Sequence, residues 1–318
     1  MKRLWREDWL NDDVLKETTR AVVAAGEVIK MVNPEFKAKK GEGHRSGVTE
    51  SDKMSHRMVF ERLAQRFPQA KFLSEEGEEE SPRLFSKNDP RGIFQEELVV
   101  IFDPIDGTAP FGSMLGTWCV AAAVMRYGWI TGSAIYAPAL NGGLLVVAEK
   151  DNGVRIKEWN FEKEIKVPST SEVKKISDCF VTMGVDATLY RQFMGIVPEI
   201  GRNVRAWGLA NSGILGLAQV AAGRLQAIFE PPQKVWDWAP GFLAVLESGN
   251  TIRFFRLVPE PDSEFSVLIP VDDYDYEAFC LFPQQNRLGY VAGQPQIVDF
   301  IFDLLPKKGW SRLNPDTI

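Results

Sequence analysis

Histidine is almost missing from this chain: 318 residues contain only His44 and His56. Neither stands at a ligand spacing, which disfavours a zinc hydrolase, and the same scarcity disfavours Ser-His or Cys-His nucleophilic catalysis. Cysteine is scarce as well. Cys119, Cys179 and Cys280 are odd in number, far apart and set among apolar neighbours, so the expectation is buried free thiols in a reducing compartment. An excess of positive charge is also lacking. A net charge of −6 offers no basic face for nucleic acid and no polybasic tract for anionic lipid, so neither is expected as a partner. No apolar run is long enough to span a bilayer, and Met1–Asp8 lacks the apolar core of a signal peptide. These absences together predict a soluble, cytoplasmic protein. No internal repeat, low-complexity tract or clear linker divides the chain.

What remains is an ordinary globular balance, 45% hydrophobic and 25% charged, in a chain long enough for a large core. Val14, Thr18, Val22, Ala25, Ile29 and Val32 recur at helical spacing over 13–33. The glycine-rich, polar segment 37–47 has no periodicity and reads as a loop beside the helix that Thr49–Asp52 opens. That helix turns Met58, Val59, Leu63 and Phe67 inward, and a Thr followed three residues later by an acid resembles a capping box. A short strand at Lys71–Leu73 runs into Ser74-Glu75-Glu76, the start of an acidic run that taken alone reads as a solvated turn.

Three β segments, 117–126, 130–137 and 142–149, are separated by glycines and a Pro138/Asn141/Gly142 cluster, the pattern of an antiparallel meander. The stretch 150–176 reads as irregular. A strand at 178–183 and a helix near 187–195 follow. Next come a helix from Ser212 through Ala222, a strand at Leu225–Phe229 and a loop at Glu230–Lys234. A helix opened by Trp236–Gly241 and a late helix near 295–305 complete the chain. Mixed strands and helices place the protein in the layered α/β class.

The chemistry centres on Val99-Val100-Ile101-Phe102-Asp103-Pro104-Ile105-Asp106-Gly107-Thr108. An apolar strand meets a carboxylate, and Pro104 removes the next backbone donor, so the ladder is expected to stop there. A second carboxylate and a Gly-Thr turn follow at once. Two acids so close are costly to desolvate unless a cation lies between them. Glu75 and Asp237 likewise stand where an element leaves the core. Hard cations such as Mg²⁺ take oxygen ligands and share them with phosphate, and several carboxylates suit a pair of ions.

Asp103-Pro104-Ile105-Asp106-Gly107-Thr108 resembles the signature of the inositol monophosphatase family, within the Mg²⁺-dependent, lithium-sensitive sugar phosphatase superfamily. Val48-Thr49-Glu50-Ser51-Asp52 resembles its Thr-x-x-Asp element, and Ser74-Glu75-Glu76 its Gly-Glu-Glu element. Trp236-Asp237-Trp238-Ala239-Pro240-Gly241 resembles its Trp-Asp-x-Ala-x-Gly element, and Val220–Leu225 with Glu230 its substrate-side segment. The matches keep the family's order and span about residues 13–250.

The resemblance implies an αβαβα sandwich over 1–318, with a metal-binding half of about 1–150 and a substrate-completing half of about 151–318. It implies two or three Mg²⁺ ions. Glu75, Asp103 and the Ile105 carbonyl would hold the first; Asp103, Asp106 and Asp237 would hold the second. Thr108 and Asp52, with Glu75, would form the catalytic group that orients and deprotonates the attacking water. Asp106, Gly107, Thr108, Ser212, Gly213, Glu230 and Asp237 would contact phosphate or substrate.

The implied reaction is hydrolysis of a small polyol or sugar monophosphate, and the implied assembly is a homodimer. Two alternatives stay open. The substrate could instead be fructose-1,6-bisphosphate, adenosine 3′,5′-bisphosphate or histidinol phosphate, with Arg202, Arg205, Trp207 and Lys234 as candidate partners for a second phosphate or a base. A non-catalytic relative that binds phosphate ligands is the other, although no metal ligand and no Thr108 is lost. Ser74 replaces the usual Gly, Ala109-Pro110 the usual Thr-Asn, and 251–291 follows no family pattern.

Overall fold

Two large sheets and three sets of helices stack in five layers, helix, sheet, helix, sheet, helix, with a separate two-stranded sheet beside them. The computed structural model describes residues 8–34, 36–38, 47–76, 83–85, 91–158, 165–166, 175–271 and 287–312. In chain order the elements are α1 (Asp13–Ile29), β1 (Phe36–Ala38), β2 (Gly47–Thr49), α2 (Glu50–Arg66), β3 (Lys71–Ser74), β4 (Val99–Asp106), α3 (Thr108–Gly112), β5 (Cys119–Arg126), β6 (Trp129–Ala137), β7 (Leu144–Glu149), β8 (Gly153–Glu158) and β9 (Ile165–Lys166). The chain continues with β10 (Phe180–Gly184), α4 (Arg191–Asn203), β11 (Ala206–Ala210), α5 (Gly213–Ala221), β12 (Ala227–Gln233), α6 (Ala239–Glu247), β13 (Thr251–Pro259), β14 (Ser266–Val271), β15 (Leu288–Gly293) and α7 (Pro295–Leu304). Among the described residues no helix is long and apolar enough to cross a membrane.

The first sheet runs β3 to β9 in sequence order; the second is ordered β11-β10-β12-β15-β13-β14. Period-two alternation along β4 explains its unbroken apolar run: both faces are covered. Val100 and Phe102 pack with Leu15, Val22, Val59 and Leu63 of α1 and α2. Val99 and Ile101 face the opposite layer, with Leu217 of α5 and Leu243 of α6. On the outer face of the second sheet, Phe193 of α4 and Ile297 and Phe302 of α7 pack on Val181, Phe229 and Val291. α1 is fixed at its start by Asp12, whose Oδ1 accepts from the amides of Val14 at 2.7 Å and Leu15 at 3.3 Å. Asp12 Oδ2 also meets Arg126 Nε at 3.1 Å, which pins the helix to the end of β5.

The α/β class, the meander and the helices at α1, α2, α5, α6 and α7 lie where the sequence places them. Several expectations need correction. The ladder does not end at Pro104: a bulge between Asp103 and Asp106 absorbs the missing donor, and Asp106 pairs again with Cys119. Residues 37–47 are not simply a loop, because β1 and β2 pair antiparallel, with Phe36 opposite Thr49; positions 39–46, including His44, lie outside the described residues.

The stretch 150–176 holds β8 and β9, where Val154 and Ile156 are buried on alternate positions. The helix expected near 187–195 is a 3-10 turn at Val185–Leu189 followed by α4, which runs on to Asn203. Glu230 is not in a loop. β12 continues through Pro231 and Pro232 to Gln233 with a register shift between Glu230 and Gln233, where two residues lack donors. Residues 251–271 and 288–293 form three paired strands. Cys119 and Cys179 are buried free thiols, as expected, and Cys280 lies outside the described residues.

Candidate metal centre and cleft

Asp103 keeps the parity of Val99 and Ile101, so it faces the layer in which Asp237 precedes α6. Glu75 follows directly on β3, which runs parallel to β4 with Ser74 opposite Phe102. Glu75, Asp103 and Asp237 each bring one oxygen within 4.8 Å of the other two, with Asp103 buried and its companions half-buried. Burial first, and then the charges of Glu75, Asp106, Asp237 and Asp52, push the Asp103 carboxyl well above the usual range. Asp237 is raised in the same way, by burial and then by Glu75 and Asp106, against the Lys234 amide, which donates to Asp237 Oδ2 at 2.9 Å. Part of Asp106 and Asp237 meets solvent, but the atoms packed about them still make desolvation the leading influence.

Asp106 stands beside this group, fastened to the start of α5. Its Oδ2 accepts from Ser212 Oγ at 2.5 Å and from the Ile214 amide at 2.7 Å, with the Cys119 thiol at 3.9 Å. Burial raises its carboxyl to about 6; the Ser212 and Ile214 donations hold it from rising further. Ser212 is the N-cap of α5, its Oγ also accepting from the Leu215 amide at 3.1 Å. One hydroxyl therefore caps a helix and positions an acid.

Thr108 Oγ1 lies 3.3 Å from Asp52 Oδ1 and 3.1 Å from the Ile105 carbonyl, so the water-orienting pair expected from the sequence is in contact. Gly107 precedes α3 with φ +90, and a Cβ there would lie 3.0 Å from the Thr117 carbonyl and 3.2 Å from Ser212 Cβ. Only glycine takes this turn without strain. Glu230 of β12 is buried, raised well above the usual range by desolvation and then by Asp186, Asp106 and Asp237. A Cβ on Gly184 would collide with its carboxylate.

Two features escaped the sequence. His56 is buried between the rings of Phe60 and Phe102, and its Nδ1 lies 2.9 Å from Ser74 Oγ, directly before Glu75. Ser55 Oγ donates to the Pro104 carbonyl at 2.7 Å, tying α2 to the β4 bulge. The helical position of His56 on the inner face of α2 was the available signal. Of the candidates for a second phosphate or a base, Arg202 is an exposed partner of Glu199, and Arg205 and Trp207 are exposed around β11. Lys234 alone adjoins the acids, through its amide.

The donor set suits a hard divalent cation: clustered carboxylates with no thiol or imidazole among them, and like charges held together by burial. A cluster of carboxylates at the ends of β3 and β4 and before α6, in a five-layer αβαβα sandwich, defines a class, and the sequence falls within one family of it. The family model for the inositol monophosphatase family matches residues 10–256, and the chain belongs to that family. A fructose-1,6-bisphosphatase/inositol-1-monophosphatase of Thermotoga maritima is 29% identical over 213 residues, 67% of this chain and 73% of that one. Nus factor SuhB of Escherichia coli strain K12 is 25% identical over 251 residues, 76% of this chain and 85% of its own. The solved structure of a Thermotoga maritima IMPase superposes with a TM-score of 0.68 at 20% identity, covering 92% of this chain and 96% of that one.

Proposed function

We propose that this protein is a Mg²⁺-dependent phosphomonoesterase acting on a small polyol or sugar phosphate, of the inositol-phosphate phosphatase type. The observation that carries the reading is the convergence of Glu75, Asp103 and Asp237 within 4.8 Å of one another, beside the Thr108–Asp52 contact. Glu75, Asp103 and the Ile105 carbonyl would hold one ion, and Asp103, Asp106 and Asp237 a second. Bound there, Mg²⁺ supplies Lewis-acid stabilisation of the phosphoryl oxygens and lowers the pKa of water.

The chain's own groups do the rest. Thr108 and Asp52 orient the attacking water and take up its proton, Thr108 Oγ1 passing it toward Asp52 Oδ1. Glu75 shares this task from the neighbouring end of β3, which runs parallel to β4. The amides of Gly107 and Thr108 bind the phosphate oxygens, and Asp106 and Asp237 border the same space. Ser212, Gly213 and Glu230 line the side that receives the rest of the substrate. We take residues 1–318 as one unit, in which the N-terminal half carries the acids of β3 and β4 and the C-terminal half adds Asp237 and Glu230. The expected setting is the cytoplasm, and the expected assembly a homodimer.

The name of the Escherichia coli relative, Nus factor SuhB, supports a second reading, a role other than catalysis. Phosphate release from inositol 1-phosphate, fructose 1,6-bisphosphate, adenosine 3′,5′-bisphosphate and histidinol phosphate separates the two. The phosphatase reading expects release from at least one ester that requires Mg²⁺ and stops in EDTA. No release from any of them would favour the non-catalytic role.

A further inference from the structure

Asp52, Ser55 and His56 are polar, buried and grouped on one face of α2 by helical spacing. Buried polar side chains are costly unless each meets a partner, and each of these meets one at the acid cluster. Asp52 meets Thr108, and Ser55 donates to the Pro104 carbonyl, between Asp103 and Ile105. His56 Nδ1 lies 2.9 Å from Ser74 Oγ. Its imidazole also stacks on Phe102, with ring centroids 5.2 Å apart and planes at 23°. Ser74 and Phe102 are direct partners in the parallel register of β3 and β4. Ser74 immediately precedes Glu75, and Phe102 immediately precedes Asp103. One side chain therefore touches, on two different strands, the residue before each of two cluster acids.

Glu75 follows a strand of four residues at the edge of its sheet, so its place depends on how that strand end is held. The charges of Glu75 and Asp103 oppose each other, and a loosely held end would let them part. Packing alone does not call for histidine at this position: Phe60 and Phe102 flank it on both sides, and an apolar ring would fill the space. The contact with Ser74 is what the imidazole adds. Ser74 stands at the glycine of the Gly-Glu-Glu element, and a glycine has no side chain to make that contact. We propose that His56 and Ser74 are a positioning pair that holds Glu75 within reach of Asp103 and thereby sets the affinity of the site for its cation. Neither is a ligand; both act through Glu75. The pair's role rests on the cation-site reading and deepens it.

The test measures the dissociation constant of Mn²⁺, an oxygen-seeking probe counted by the EPR signal of the free ion, on the whole protein without substrate. Ser74→Ala and His56→Phe each remove the contact, and His56→Phe keeps a ring between Phe60 and Phe102. Each should raise the dissociation constant about tenfold, the lower end of what loss of a partner behind a ligand costs. The double variant should bind no more weakly than either single one, because the two residues act as a unit. In EDTA it should melt above His56→Phe, since no buried Ser74 hydroxyl is left unpaired, while its dissociation constant stays raised. A wild-type dissociation constant in folded Ser74→Ala overturns the pair, whether or not His56→Phe folds. Affinity that returns to the wild-type value in the double variant also overturns it, because packing alone would then explain the single variants. Wild-type protein that binds no Mn²⁺ overturns the cation-site reading and the pair with it, so the two failures are told apart.

Discussion

At the scale of single residues, Asp103 shows most clearly how function opposes stability. It is buried with four other carboxylates bearing on it, an arrangement that destabilises the cation-free fold. Asp103→Asn keeps the shape and removes the charge. In EDTA it should melt at or above wild type, a gain of about 1 kcal/mol from relieved repulsion. In Mg²⁺ its phosphate release should fall by about a thousandfold, the several kcal/mol that a lost cation ligand removes from the transition state. Scanning calorimetry and a phosphate assay on the same preparations read both effects. Full activity in Asp103→Asn would place the chemistry elsewhere. Glu75, Asp103, Asp106 and Asp237 were legible in the sequence because each follows an apolar run or a tryptophan and two share one strand end, whereas Asp52 stood out only through the family resemblance. His56 was not legible, because its contacts depend on strand pairing and helix packing that bring distant segments together.

Elements carry the next level. α5 begins where Ser212 caps it and where Asp106 accepts the Ile214 amide, so the helix start and the acid's orientation are one structure. Ser212→Ala should cost about 1 kcal/mol of stability as a lost N-cap. It should also let the Asp106 carboxyl rise above its value of about 6, since the Ser212 hydroxyl is the largest influence holding it down. Urea denaturation checks the first effect and carboxyl titration by NMR the second; an unchanged stability would mean that the Leu215 amide finds another acceptor. Elements with strong periodicity, such as α1 and β4, could be read from sequence. α4 was read short because a 3-10 turn precedes it and Pro198 interrupts its pattern. β12 was cut short because two prolines look like a loop, whereas a bulge at that point tolerates them. β11 has mostly exposed residues at a sheet edge and leaves little apolar signature.

For the whole molecule, the acid cluster couples folding, pH and cation. Asp103, Asp106, Asp237 and Glu230 all titrate above their ordinary values in the folded, cation-free protein. The folded state therefore holds more protons than the unfolded state between about pH 4 and at least pH 6. The stability from these groups is fully present below the ordinary carboxylate range and is lost as pH rises through the raised values. The melting temperature in EDTA should fall between pH 5 and pH 8, and the gain on adding Mg²⁺ should be larger at pH 8, where the ligands are ionised. A gain that shrinks as pH rises would contradict a carboxylate cation site. The central claim is a cation-dependent phosphomonoesterase, and the most direct measurement is phosphate release from myo-inositol 1-phosphate against Mg²⁺ concentration. The account predicts no release in EDTA and a saturable rise with Mg²⁺; release that is equally fast with EDTA present would contradict it.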